Sequence, residues 1–294
     1  MNPSNTHDPI SAPMAYFKSE YISASDDVKL KVLQWQPEIK EPEEPEKSVE
    51  PVIFVSGWIS HISGWAELLR LMTQKRPVFY IETREKNSAQ IKKDKIGIND
   101  FTIARIAFDI INVCKRLPID LEQSIVMGSS FGATALLEAF KNNNLNVRCA
   151  FLVGPNSEFS AHPLMKKLLL LPDFSYHFLK YFALWYLRTF RVDANKEPEQ
   201  MRRYNITIKT AHPRRIKMSV KAAMKYKLWP DLETVQIPTA LAYAPTDTLH
   251  SKDNIKKIAQ TLPRGKIITC PTNKYMHSEG LLKDIEEFIK NIKI

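Results

Sequence analysis

Ser124-Ile125-Val126-Met127-Gly128-Ser129-Ser130-Phe131-Gly132-Ala133 reads as a short apolar strand, a serine between two spaced glycines, and the start of a helix. The helix continues through Ala135, Leu136, Leu137, Ala139 and Phe140. A Gly-x-Ser-x-Gly at a strand-to-helix junction is the pattern of a nucleophile elbow. So sharp a turn holds its serine in a strained backbone conformation, and residues two positions to either side must be tiny for strand and helix to close. Gly128 and Gly132 supply those gaps. The chain has only eight glycines in 294 residues, which argues against a chance match in a surface loop. The turn lifts the Ser130 hydroxyl to the N-terminus of a helix, whose amides stabilise negative charge.

Outward from this stretch, strands and helices alternate. Residues 16–23 and 28–35 show period-2 patterning around Ala24-Ser25-Asp26-Asp27 and predict a hairpin. Residues 51–55, 78–81 and 147–153 are continuous apolar runs, the mark of strands buried on both faces. Helical spacing follows at Trp65, Leu68, Leu69 and Met72, and again over 101–117, where Asn99 or Asp100 is the expected cap. After residue 230 a strand is expected at 239–244, a helix at 251–262, a strand at 266–270 and a closing helix at 278–292. The pattern predicts an α/β class with a mostly parallel central sheet and helices on both faces. Residues 1–14 are polar and read as disordered, and the Pro/Glu/Lys run at 38–50 reads as an exposed loop.

Between 155 and 230 the alternation stops. This segment holds 15 Lys and Arg against 5 Asp and Glu, so it carries the whole net charge of +10, with 27 of each sign in the remainder. Prolines 163, 172, 198, 213 and 230 divide it into separate helices. It is expected to be a helical cap inserted after the sixth strand, with 15–154 and 231–294 forming the core. Cys114, Cys149 and Cys270 sit in apolar runs without metal-type spacing and read as reduced core thiols. The first residues lack an apolar signal region, and no run of 18 uncharged apolar residues exists, so a cytoplasmic protein is expected. His162, His177 and His212 have no companion ligands, and neither a metal nor a cofactor is expected.

A serine hydroxyl needs a base to take its proton and an acid to orient that base. In an open α/β sheet such partners come from loops at the carboxyl ends of strands. Asp247 follows the strand at 239–244, with Asp253 as a rival and a helix-cap role as the bland alternative. His277 follows the strand at 266–270. His250 competes with it, close to Asp247 but read as lying within the start of a helix, and His61 reads as a surface or supporting residue.

The order Ser130, Asp247, His277, together with Ile237-Pro238-Thr239 leading a strand into Asp247, resembles the α/β-hydrolase fold superfamily. The resemblance is strongest to its capped serine esterases, lipases and lysophospholipases. It covers 15–154 and 231–294 and implies a Ser130–His277–Asp247 triad, with the backbone amides of Trp58 and Phe131 as the oxyanion hole. The chain departs from the family in having Ser56-Gly57 where His-Gly is frequent. Glu82-Thr83-Arg84-Glu85-Lys86-Asn87-Ser88 replaces a glycine-rich turn, and Met276 precedes the histidine where glycine is common. None of these departures removes a catalytic group.

The cap bears on the substrate. Residues 174–190 hold eight aromatics, including Phe178, Phe182 and Trp185, and Arg214 and Arg215 lie downstream. Rings in this number pack the cap to the core, line an apolar tunnel, or rest on a membrane surface. The expected activity is hydrolysis of a carboxylic ester or thioester with an apolar acyl group. The expected substrate is a small molecule, anionic or lipid-like, with peripheral contact to an anionic membrane as a further reading of the basic segment. An acyltransferase using the same residues, and a non-catalytic lipid-binding protein, are the alternatives. No recognisable nucleic-acid module accompanies the charge, so no nucleic-acid partner is expected.

Overall fold

The computed structural model describes residues 15–37, 49–58, 60–92, 96–160, 167, 169–172, 174–186, 189, 205–206, 208, 210–247 and 250–292, without the side chains of 177, 182, 183 and 186. The expectations for residues 1–14 and 38–48, and for the Phe182 ring, lie outside this description.

The hairpin forms as β1 (Ala15–Ser25) and β2 (Val28–Pro37), antiparallel, with β2 also antiparallel to β4 (Val78–Ile81). From β4 onward the pairing is parallel: β3 (Val52–Val55), β6 (Ile125–Ser129), β7 (Cys149–Val153), β8 (Thr239–Tyr243) and β9 (Gly265–Thr269). The strand order is β1-β2-β4-β3-β6-β7-β8-β9. A two-residue strand, β5 (Gln90–Ile91), pairs β2 and was not legible as an apolar run; counting it, the segment expected as a cap follows the seventh strand rather than the sixth.

Every residue of β3, β4, β6, β7 and β8 is buried, because successive side chains feed opposite faces and both faces are covered. On one face Ile53, Val55 and Val126 meet α2 (Ile103–Cys114), α3 (Ser130–Phe140) and α6 (Lys252–Thr261) through Ile106, Ile110, Leu136 and Ile255. On the other, Val52, Phe54 and Met127 meet α1 (Ala66–Thr73) and α7 (Glu279–Lys290) through Leu68, Leu69, Leu281 and Phe288. Each large apolar side chain taken out of water contributes about 1.5–3 kcal/mol, so the two layers hold the sheet from both sides.

Thr102 caps α2, accepting from the Arg105 amide, whereas Asp100, expected there, accepts from Gly97 in the preceding 3-10 turn. Two helices are described in the inserted segment, α4 (Ser175–Tyr186) and α5 (Pro213–Ala223). The first turn of α5 carries Pro213 where its missing N–H costs nothing, and His212 accepts from the Arg215 amide.

The glycine-free loop after β4 makes two tight turns, with the Lys86 amide donating to the Thr83 carbonyl and the Ala89 amide to the Lys86 carbonyl, and it is anchored by charge. Arg84 binds both carboxylate oxygens of Asp109 and donates to the Asp100 carbonyl at 2.8 Å, with both side chains almost wholly buried. A forked guanidinium against a carboxylate fixes orientation as well as distance. The loop is thereby tied to α2.

Candidate active site

Ser130 stands at the C-terminal end of β6 with φ of 47°, in the left-handed region that costs a non-glycine residue about 1–3 kcal/mol. The flanking glycines are required by contact. A Cβ on Gly132 would lie 2.4 Å from the Val55 carbonyl oxygen and 2.5 Å from that of Ser56. One on Gly128 would lie 2.6 Å from Leu136 Cδ1 and 2.9 Å from Ala133 Cα. The expected elbow is therefore present in backbone and in packing.

The structure brings Ser130 and Asp247 together, but through His250. The Ser130 hydroxyl lies 2.9 Å from His250 Nε2, and His250 Nδ1 lies 2.7 Å from Asp247 Oδ2. Nδ1–H donates to the carboxylate, which leaves Nε2 as the acceptor for the serine proton. Asp247 Oδ1 also accepts from the His250 amide at 3.3 Å, so the carboxylate holds both the ring and the backbone of its partner. Asp247 and His250 are mostly buried, with side chains 7% and 15% exposed, which keeps water from competing for these bonds.

This corrects the reading of His250 as a residue inside a helix. Helix α6 begins at Lys252 with Ser251 as its cap, so His250 lies before the helix, where its ring meets Asp247. Asp253, the rival acid, is exposed in the first turn of α6.

Gly154, just past β7, makes room for the imidazole. Its φ is 57°, and a Cβ there would lie 3.0 Å from His250 Cγ and Nδ1. His277 occupies a 3-10 turn after β9, and its ring centroid lies 4.1 Å from that of the buried Trp65. The imidazole joined to both Ser130 and Asp247 is thus not that of His277. Met276 fills the preceding position and is buried.

The turn Ser56-Gly57-Trp58 approaches Ser130 closely, since a Cβ on Gly57 would lie 3.4 Å from Ser130 Cβ. The Gly57 amide donates to Ser129 Oγ at 2.8 Å, leaving the next amide, that of Trp58, as the candidate donor on this side. Phe131 follows the serine in the first turn of α3, and the Trp58 and Phe131 rings stack with centroids 5.9 Å apart. Sequence reasoning missed Ser129 and Asn156. The Asn156 side chain lies 3.5 Å from Ser130 Oγ, and its amide donates to Thr134 Oγ1 at 2.9 Å. Ser129 occupies a variable position of the Gly-x-Ser-x-Gly pattern and Asn156 belongs to no recognisable motif, so only their contacts in the fold reveal them.

Behind the turn lies a buried polar group. Lys86 Nζ donates to Ser56 Oγ at 2.6 Å and to the Ser60 carbonyl at 2.7 Å, and the Tyr80 hydroxyl lies 2.6 Å from the same Ser56 oxygen. Burial pushes the Glu85 carboxyl and the Tyr80 hydroxyl above their ordinary values. Burial alone would lower Lys86, but Tyr80, Glu82 and Glu85 outweigh it and hold the ammonium above its usual range. A cavity of about 390 Å³ borders this group, lined by Lys31, Ser60, His61, Glu85, Lys86 and Thr210 among others, but not by Ser130.

The inserted segment reaches the same place. Trp58 Nε1 donates to Ser219 Oγ of α5 at 2.9 Å, and Arg215 donates to the carbonyls of Lys86 and Ala89 at 2.7 and 2.9 Å. Arg215 is therefore bound to the core, contrary to the expectation that it meets a substrate or membrane, whereas Arg214 is exposed. On α4, Phe178, Tyr181 and Trp185 are exposed, as is Phe174 just before it. No described helix is long and apolar enough to cross a membrane.

No protein-family model matches the chain, and no curated protein sequence matches it. Solved structures do. An enol-lactonase from Burkholderia xenovorans LB400 superposes with a TM-score of 0.72 at 14% identity, over 92% of this chain and 100% of that one. A hydrolase from Pseudomonas aeruginosa PA01 gives 0.70 at 12% identity, over 94% and 99%. An esterase from Thermogutta terrifontis gives 0.67 at 14%, over 93% and 98%. Likeness at this identity speaks to architecture, and it agrees with the sheet order, the elbow and the covered faces described above. The chain has the α/β-hydrolase fold.

Proposed function

We propose that the protein is a serine hydrolase that cleaves a carboxylic ester or thioester with an apolar acyl group, using Ser130, His250 and Asp247. The observation that carries this reading is the single imidazole bonded to the elbow serine at 2.9 Å and to a mostly buried carboxylate at 2.7 Å. The serine oxygen attacks the acyl carbon as its proton passes to His250 Nε2. Asp247 keeps Nδ1 protonated and stabilises the imidazolium that forms. The Trp58 and Phe131 amides stabilise the tetrahedral oxyanion. His250 then protonates the departing alcohol or thiol, and afterwards takes a proton from the water that releases the acyl group from Ser130. Similar folds titled as an enol-lactonase, an esterase and a thioesterase domain support chemistry at an acyl carbon.

A panel of 4-nitrophenyl esters of graded acyl length tests this directly. Wild-type protein is expected to turn over several of them, favouring longer apolar chains. Ser130→Ala should lower turnover by about 10⁴-fold or more while the fold survives. Turnover unchanged by Ser130→Ala would sink the proposal. Acyl transfer to a second acceptor in preference to water would replace hydrolysis with transferase activity, and absence of turnover with retained lipid binding would favour the non-catalytic alternative.

The apolar substrate class rests on the inserted segment. Phe174, Phe178, Tyr181 and Trp185 recur at intervals of four, three and four residues, and so form one aromatic face along α4. They are 54–74% exposed. An exposed stripe of this kind beside a net positive segment suits an anionic amphiphile or the bilayer that holds it. Some of the local charge is already engaged: Lys180 Nζ donates to the Ala211 carbonyl, Lys217 Nζ to the Leu171 carbonyl, and Lys227 pairs with Glu158. Phe178→Glu with Tyr181→Glu is expected to weaken sedimentation with phosphatidylserine vesicles about tenfold or more, with turnover of a short soluble ester unchanged. Equal losses in both assays would assign these rings to fold or pocket instead.

We also place the protein in a reducing, cytoplasmic setting. Its three cysteines are free and buried, and burial pushes each thiol up to about 12, so all are protonated and inert at neutral pH.

A further inference from the structure

We infer that Lys86 and the helix α5 act together as a positioning device for the Ser56–Trp58 turn, setting the Trp58 amide against the carbonyl that Ser130 attacks. The inference rests on the proposed role of Ser130. The turn is fastened from three sides. Lys86 Nζ donates to Ser56 Oγ at its start and to the carbonyl of Ser60. The Ser129 hydroxyl takes the Gly57 amide from the elbow side. From the inserted segment, Ser219 Oγ accepts the Trp58 indole N–H, and Ser219 itself is fully buried and donates to the Ile216 carbonyl.

The Ser60 amide donates to the Gly57 carbonyl at 3.1 Å, which ties the Lys86-bound Ser60 directly to the residue before Trp58. Arg215 closes the circuit, because it joins α5 to the backbone carbonyl of Lys86 itself. A displacement of α5 is thereby transmitted to the Trp58 amide by two routes: through the indole and through the loop that carries the ammonium.

An oxyanion donor works only when aimed at the place where charge develops, and a misplacement of about 1 Å can cost on the order of 10²-fold. The device gives the buried Lys86 ammonium a role in a loop that has no glycines. It also gives substrate seated under the inserted helices a path to the donor that stabilises its own transition state.

The test measures kcat and KM for one soluble ester alongside the indole ¹H–¹⁵N resonance of Trp58, assigned by its disappearance in Trp58→Phe. Ser219→Ala is expected to lower kcat about tenfold and Lys86→Met about 10²-fold, each with KM nearly unchanged. The Trp58 indole peak should move in both variants, although Lys86 does not touch the indole. Ser219→Thr, which keeps the hydroxyl, should restore kcat and the peak position. Folded variants with wild-type kcat, or a loss confined to KM, would overturn the inference. If Lys86→Met fails to fold, the Ser219 pair decides: loss with rescue supports the device, and no loss removes it. If wild-type protein has no ester turnover, the hydrolase reading fails; the indole resonance then judges the linkage, and a peak unmoved by Ser219→Ala overturns it.

Discussion

His250→Ala is expected to lower kcat for a soluble ester by about 10⁴-fold, with KM nearly unchanged, whereas His277→Ala stays within about threefold of wild type. The contrast follows from what each ring touches. His250 Nε2 lies 2.9 Å from Ser130 Oγ and its Nδ1 lies 2.7 Å from Asp247, so under the proposed mechanism its removal leaves the serine without a base. His277 packs its ring at a tilt against Trp65, just before α1, so under the proposed mechanism its loss costs packing and not the base. A milder version of the same prediction uses Gly154. A methyl group there meets the imidazole at 3.0 Å and sits on a backbone at positive φ, so Gly154→Ala should displace the ring and lower kcat about 10²-fold. Steady-state kinetics of the three variants, checked for folding by circular dichroism, decides between the histidines. A larger loss from His277→Ala than from His250→Ala would reverse the assignment.

Asp247→Asn carries the second large effect, a fall in kcat of about 10⁴-fold with substrate affinity preserved. An asparagine amide fits the same space, but it offers Nδ1 a donor where the carboxylate offers only acceptors. The ring then takes the other tautomer, and Nε2 points a proton at Ser130 instead of a lone pair. Asp247 accepts from both the ring and the amide of His250, and the substitution removes the bond that the ring donates while its remaining oxygen can still accept from the amide. Asp253→Asn, on the exposed first turn of α6, is expected to leave kcat unchanged. Kinetics across pH checks this: the loss should persist at alkaline pH, since no ionisation restores the carboxylate. A loss seen only in KM would mean that Asp247 binds substrate.

The elements that were legible in sequence are those whose signal is local. Apolar runs such as Val52–Val55 and Cys149–Val153 announce strands covered on both faces, and the spacing of Gly128, Ser130 and Gly132 announces the elbow. Asp247 stood out in sequence because it follows a strand end. The imidazole that meets Ser130 did not, because two histidines, His250 and His277, follow neighbouring strands. What separates them is non-local: Gly154, over ninety residues from His250 along the chain, leaves the space that the ring fills. The two-residue β5 carries too few apolar residues to signal a strand. Arg215 was read as free charge because a sequence count cannot show that the Lys86 and Ala89 carbonyls consume it. Lys86 looked like one charge in a charged loop, and only the fold brings it beneath Ser56.

The most direct test of the acyl-transfer chemistry is to map the adduct left by a fluorophosphonate on the intact protein, comparing labelling rates in wild type, Ser130→Ala and His250→Ala. A single adduct on Ser130 is predicted, formed rapidly in wild type, orders of magnitude more slowly in His250→Ala, and absent in Ser130→Ala. An adduct on Ser129 or elsewhere, or labelling of His250→Ala at the wild-type rate, would contradict it.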